Sequence, residues 1–329
     1  MTAVAVDPER LLKELRALWR DLGKQDQNGV LRACAMTFIV VVDEARDANI
    51  LGETIANLMH EHPSRAIVIR VRDCPGQVME ARVFAQCWMP FGRRQQICCE
   101  QVEIISSPAS LGDVASVVRG LIVPDLPSIL FCPSENLWWM PEFRELFPLA
   151  GKIIVDSCAM PDSERVLEFW GQVPTATYQL GDLIWGRLTP WRQAVARIFE
   201  DKAGADAVRT LQSVTLRYSG TAPTSGILYL AGWFQKVLGA QISVVLASGE
   251  GAGYSGVSAI ELQGPGLQAS VAMKEGGSAE TKVNGQTLEV ILFPTGTEEA
   301  ALRQELAVQG RDPLFEALLP LAAEFRGSL

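Results

Sequence analysis

Histidine is almost missing from this sequence: 329 residues hold two, His60 and His62. No histidine lies in the second half, so a serine triad there has no base. The pair sits two residues apart at the end of a helical pattern, off any shared helix face, and no cysteine pair with close ligand spacing accompanies it. A zinc site is therefore not expected, and the imidazoles read as a helix C-terminus. All seven cysteines lie between Cys34 and Cys158. An odd, scattered set reads as reduced thiols rather than a disulfide framework. Basic residues are outnumbered 29 to 38, and the deficit runs through the whole chain. No basic half exists to hold a phosphate backbone, which argues against nucleic acid. The longest apolar runs, residues 33–42 and 226–234, fall short of the roughly 18 residues of a membrane span. Acidic Asp7, Glu9 and Glu14 near the start do not read as a signal peptide. The expected address is cytoplasmic.

What is present is ordinary globular composition, 48% hydrophobic and 20% charged. The length suggests two domains. Asp7 and Pro8 open a helix with Leu11, Leu15, Leu18, Trp19 and Leu22 on one stripe, ending near Gly23. Residues 33–42 read as a buried strand, 47–61 as an amphipathic helix and 66–71 as a strand, a β-α-β unit. Residues 77–89 and 93–105 form an expected antiparallel hairpin around Pro90 and Gly92. Helix and strand patterns then alternate through 110–120, 128–132, 141–150 and 152–156. Further helices are expected at 162–170 and, capped by Thr189, at 190–201. The boundary falls after it, giving an N-terminal mixed α/β domain over 1–201 and a C-terminal domain over 202–329. The latter carries strands near 211–218, 241–246, 255–262, 268–274 and 286–293, a helix over 225–238 and two helices near 297–308 and 313–325. The fold class expected is α/β (α+β), with a largely antiparallel C-terminal sheet covered by helices on one face.

Few residues point to chemistry. Gly249-Glu250-Gly251-Ala252-Gly253 joins two strands, so the strand-to-helix context of a nucleotide loop is not met, and no cofactor is expected. Gly253-Tyr254-Ser255-Gly256 misses the nucleophile-elbow spacing because Val257 follows. Asp125, Asp156 and Asp182 lie beside strands or turns, where carboxylates usually cap. Arg65 enters a strand as an ion-pair former or an anion contact. Cys98 and Cys99 are adjacent, but successive strand side chains point to opposite faces, so their sulfurs should diverge.

One stretch is more specific: Asp182-Leu183-Ile184-Trp185-Gly186-Arg187-Leu188-Thr189-Pro190-Trp191-Arg192. With His62-Pro63-Ser64-Arg65-Ala66-Ile67-Val68, Ile97-Cys98-Cys99-Glu100-Gln101-Val102, Val123-Pro124-Asp125-Leu126-Pro127 and Ile154-Val155-Asp156-Ser157, it resembles the glucose-6-phosphate dehydrogenase assembly protein family, OpcA. The resemblance covers about residues 30–200. It implies a non-catalytic partner of glucose-6-phosphate dehydrogenase that promotes its active oligomer or raises its activity. Trp185, Arg187, Trp191 and Arg192 have residue types common at binding hot spots and are the expected partner contacts. The alternative gives them a structural role, with Arg187 and Arg192 pairing with Asp182 or Glu200. Two further readings stand beside the family one: a sugar-phosphate enzyme or sensor using Arg65, and a thiol-redox module built on Cys98 and Cys99. A small-molecule effector is unspecified.

Overall fold

The structure, a computed structural model, describes residues 6–25, 30–46, 48–90, 96–160, 162–200, 202–249, 253–294, 296–308 and 310–325. It divides into two compact units, one of residues 1–155 with 176–179 and one of 156–175 with 180–329. This division differs from the boundary expected after residue 201. The segment 180–201 packs with the C-terminal elements because its apolar side chains find their partners there.

In the first unit β1 (Val30–Arg32), β2 (Met36–Asp43), β3 (Ser64–Val71), β4 (Met79–Trp88), β5 (Gln96–Ser106), β6 (Ser128–Cys132) and β7 (Lys152–Val155) build a mixed sheet. Its order is β1-β5-β3-β2-β6-β7, with β4 on β5. All pairings are parallel except β4 with β5. The strands β2 and β3 are buried almost throughout, which explains their unbroken β-branched runs. Helices α1 (Pro8–Gln25), α2 (Ala48–Met59), α3 (Leu111–Leu121) and α4 (Glu135–Trp138) complete the unit. The β-α-β unit and the hairpin expected from the sequence are both present. Asp47, Gly92 and Arg93 lie outside the described residues. Residues 141–149 form a 3-10 helix containing Pro148 rather than an α-helix.

The chain then passes through α5 (Ser163–Gly171) and β8 (Gln179–Asp182) to α6 (Leu183–Arg187), α7 (Thr189–Arg197) and α8 (Lys202–Ala207). Thr189 is the first residue of α7 and makes no cap hydrogen bond, contrary to expectation, because the preceding Leu188 is already helical. The second unit's sheet has β9 (Ser213–Tyr218), β10 (Ser243–Ser248), β11 (Val257–Gly264), β12 (Leu267–Met273), β13 (Ser278–Val283) and β14 (Gln286–Leu292), in the order β10-β9-β11-β12-β13-β14. Only the β9–β10 pairing is parallel, joined through α9 (Ser225–Leu238). Asn284 and Gly285, both at positive φ, turn the β13–β14 hairpin. Two more helices, α10 (Glu298–Ala307) and α11 (Pro313–Glu324), end the chain. The helix α11 packs chiefly on α9, and α10 on α6, so the two form an outer layer rather than the sheet's direct cover. Gly232 makes the α9–α11 approach possible: a Cβ there would lie 2.7 Å from Leu318 O and 2.9 Å from Ala322 N.

Candidate functional site

The stretch from Asp182 to Arg192 lies wholly in the second unit. Asp182 ends β8 and caps α6, and its side chain is fully buried. Its Oδ1 accepts the backbone N–H groups of Ser157 (3.1 Å) and Ile184 (3.1 Å). Its Oδ2 accepts the Tyr229 hydroxyl at 2.9 Å, and that hydroxyl oxygen accepts the Trp170 indole N–H at 2.9 Å. Burial raises the Asp182 pKa to about 6, with the nearby Asp156 charge adding to it against the hydrogen bonds from Ser157 and Ile184.

Arg187 closes a second polar contact. Its Nη1 and Nη2 donate to the two carboxylate oxygens of Asp156 at 2.6 and 3.0 Å, and Nε donates to Gly296 O at 3.2 Å. Burial opposes the guanidinium charge, yet the Asp156 hydrogen bonds and charge outweigh it and raise the pKa above the ordinary arginine value. The backbone N–H of Cys158 also donates to Asp156 Oδ1. Arg192 has a different environment: its guanidinium lies 3.5 Å from the Trp185 ring centroid and donates to Trp185 O and Thr189 Oγ1, each at 2.9 Å. Burial lowers its pKa to about 10. The Trp185 indole N–H donates to Asp312 Oδ2 at 2.8 Å, and the ring stacks with Phe315. Trp191 has no exposed surface, meets Phe293 edge-on at 5.1 Å and donates to Tyr254 O at 3.3 Å.

Of the four expected partner contacts three are buried, while Arg192 is half-buried. Trp191 is enclosed, Trp185 is 4% and Arg187 7% exposed, and their polar atoms are satisfied inside the unit. The expected structural pairings also change, since Arg187 binds Asp156 rather than Asp182, and Arg192 binds Trp185 and Thr189 rather than Glu200.

A cavity of about 440 Å³ opens beside this network, lined among others by Arg187, Gln193, Arg197, Tyr254 and Gln304. Both arginines are neutralised, Arg187 by Asp156 and Arg197 by Glu289. Burial raises the Tyr254 pKa, so its hydroxyl stays protonated. The lining offers hydrogen bonds to a polar ligand but no activated nucleophile beside a base. Among the described residues no group of three or more histidine, cysteine or carboxylate side chains is placed to hold a metal.

In the first unit Arg65 is 7% exposed and committed: Nε donates to Glu100 Oε2 and Nη1 to Leu121 O, each at 2.6 Å. It is an internal ion-pair former, not a free anion contact. His60 packs against Trp88 with centroids 4.9 Å apart. Cys98 and Cys99 do diverge, as strand alternation requires. Cys98 forms a disulfide with Cys87, directly opposite it on the β4–β5 ladder, while Cys99 is a buried free thiol whose pKa burial pushes up to about 11. The expectation of reduced cysteines throughout is therefore corrected, and a Cys98–Cys99 dithiol has no geometry to work with. Support for the cytoplasm from cysteine usage goes with it. No helix among the described residues is long and apolar enough to cross a membrane.

Sequence reasoning missed Tyr229, Trp170, Asp312 and Cys87. Tyr229 had a signal, a phenolic hydroxyl in an apolar helix that must find a partner when buried. Cys87 had one in the hairpin register.

Fold and site together define a two-domain α/β protein whose signature residues form a buried polar framework. Comparison with known proteins places it more narrowly. The family described as glucose-6-phosphate dehydrogenase subunit N-terminal domain matches residues 55–170, and its C-terminal counterpart matches residues 178–319. The chain belongs to the OpcA family. It is 24% identical to an OxPP cycle protein OpcA of Nostoc punctiforme over 311 residues, covering 80% of this chain and 65% of that protein. It is 28% identical to an OxPP cycle protein OpcA of Synechocystis over 193 residues, covering 56% of this chain and 38% of that one. The chain thus spans less than two thirds of the length of these relatives. Among solved structures, a 3-ketoreductase from Actinomadura kijaniata is similar with a TM-score of 0.46 at 10% identity, covering 89% of this chain and 96% of that one. A likeness this distant carries no conclusion about activity.

Proposed function

We propose that this protein is a non-catalytic assembly factor or activator of glucose-6-phosphate dehydrogenase, acting in the oxidative pentose phosphate pathway. The observation that carries the reading is that both parts of the chain match domains described as subunit domains of that dehydrogenase. The second unit's signature network supports it by using its polar groups for structure, with each arginine neutralised or buried and no nucleophile–base pair assembled. A partner of this kind shifts an enzyme's assembly or substrate affinity only through unequal affinity for its states. Couplings of about 1–3 kcal/mol change those populations roughly 5- to 150-fold.

The test is dehydrogenase activity against glucose 6-phosphate concentration, with the enzyme from the same source, with and without this chain, while light scattering follows its oligomeric state. A lowered half-saturation or a larger active oligomer is expected, and the chain alone should turn over no substrate. No complex and no rate change, under reducing and oxidising conditions alike, would refute the proposal.

A further inference from the structure

On α1 the side chains of Lys13, Arg16 and Arg20 recur at i, i+3 and i+7, which puts them on one face over about 10 Å of helix. All three are exposed, and among the described residues none has a counter-ion. Other cations take the nearby helix carboxylates, Glu14 with Arg10 at 2.8 Å and Asp21 with Lys24 at 3.7 Å. The face borders an open cavity of about 600 Å³ lined by Lys13, Arg16, Trp19, Arg20 and Arg32. One carboxylate, Glu100, bonds to two of the lining residues, Trp19 and Arg32, and its charge is already spent. Its Oε2 accepts Arg65 at 2.6 Å, while Oε1 accepts the Trp19 indole N–H at 2.6 Å and pairs with Arg32 at 2.8 Å. Four cations therefore converge on one hollow of a protein whose net charge is −9, with no free acid among the described lining residues.

We propose that this hollow binds a nucleoside polyphosphate. Three of the four cations are arginines, whose planar forks match phosphate oxygens bidentately. The indole is the second element. Its N–H is held by Glu100, so the ring is fixed, and it lines the cavity with the Arg32 guanidinium over it, 5.7 Å from the ring centroid. Such a platform suits stacking of a nucleobase. An acidic peptide would use the cations but has no need of the ring, and the hollow's volume falls in the range of small-ligand sites. The inference does not depend on the dehydrogenase partnership, since it concerns residues of the first unit alone.

The experiment is calorimetric titration of the full chain, without magnesium and at low salt, using ATP, pyrophosphate and a glutamate-rich peptide as probes. ATP should bind saturably and more tightly than pyrophosphate, and added salt should weaken both. The double variant Arg16→Gln/Arg20→Gln touches no internal hydrogen bond and should fold unchanged by circular dichroism while losing affinity about tenfold or more. Trp19→Leu, verified folded in the same way, should bring ATP down to the affinity of pyrophosphate. Absence of ATP saturation at millimolar concentration would overturn the proposal, as would unchanged affinity in the double arginine variant. Peptide binding without ATP binding would overturn it in favour of a protein partner. Equal affinity of ATP and pyrophosphate in the unaltered chain would remove the nucleoside from it.

Discussion

Replacing Arg187 with alanine should cost the second unit a large share of its stability margin. The side chains of Arg187 and Asp156 are 7% and 11% exposed, so the pair has little water to fall back on. Removing the guanidinium deletes two hydrogen bonds to the carboxylate and one to Gly296 O, and leaves Asp156 buried beside Asp182 with no counter-charge. Breaking a buried pair from one side costs about 3–5 kcal/mol, against a total of about 5–15 kcal/mol for a typical domain. At about 2–4 °C per kcal/mol for a unit of this size, the transition should fall by about 6–20 °C. Asp156→Asn should lose a comparable amount by stranding the arginine. Arg187→Met combined with Asp156→Leu should recover much of the loss, because an apolar pair leaves neither charge unmatched. Scanning calorimetry with urea titration of these variants, with Arg187→Met and Asp156→Leu as the single corners, closes the double-mutant cycle. A change below about 1 kcal/mol in Arg187→Ala, or a double variant whose loss equals the two single losses added together, would refute the internal-pair account. Well below its lowered transition, Arg187→Ala should still bind the dehydrogenase.

Asp182 ionises near pH 6 in the folded unit against 3.8 for an unperturbed group. The folded state thus keeps a proton that the unfolded chain loses, so this contribution is full below about 3.8 and is lost as pH rises through about 6, amounting to about 3 kcal/mol. Asp182→Asn should flatten stability between pH 4 and 7, as read by urea titration at stepped pH; an unchanged slope would assign the dependence elsewhere. Gly232→Ala gains about 1 kcal/mol of helix propensity but forces a Cβ to 2.7 Å from Leu318 O, where only backbone could yield, so a net loss of stability is expected on thermal melting. Cys99 and Cys132, with thiols held at about 11 and 12 by burial, should resist alkylation at neutral pH until the protein is denatured, as mass spectrometry of the labelled chain would show.

Local elements were legible where the physical signal was local. The β-branched run of β2, the Pro8 start of α1 and the Asn284-Gly285 turn each encode their conformation in neighbouring residues, and all three are found as expected. What escaped depended on distant partners. β13 was overlooked because Ser278 to Val283 carries Glu280 and Lys282 on one face, and only the ladders to β12 and β14 make it a strand. α6 was missed because Gly186 weakens a helix of five residues that the Asp182 cap and its neighbours hold together. Cys87 and Cys98 meet because of a register that the hairpin fixes over ten paired positions, beyond what residue spacing alone conveys.

The signature from Asp182 to Arg192 was legible as special, but residue type could not say in which way. Tryptophan and arginine are favoured wherever a large ring or a planar fork must work away from water, and that description fits a binding hot spot and a buried domain framework equally. What separates them is whether the polar atoms find partners within the same chain. Here the Trp185 indole N–H reaches Asp312, 127 residues away in sequence, and Arg187 Nε reaches Gly296, 109 residues away. Contacts of that span tie α6 to elements at the far end of the chain and make the signature a condition of the second unit's fold. Loss of dehydrogenase binding on mutating these residues would then follow from unfolding. Mapping the partner surface therefore requires substitutions at exposed positions, with Arg187→Ala as the control that separates a lost fold from a lost contact.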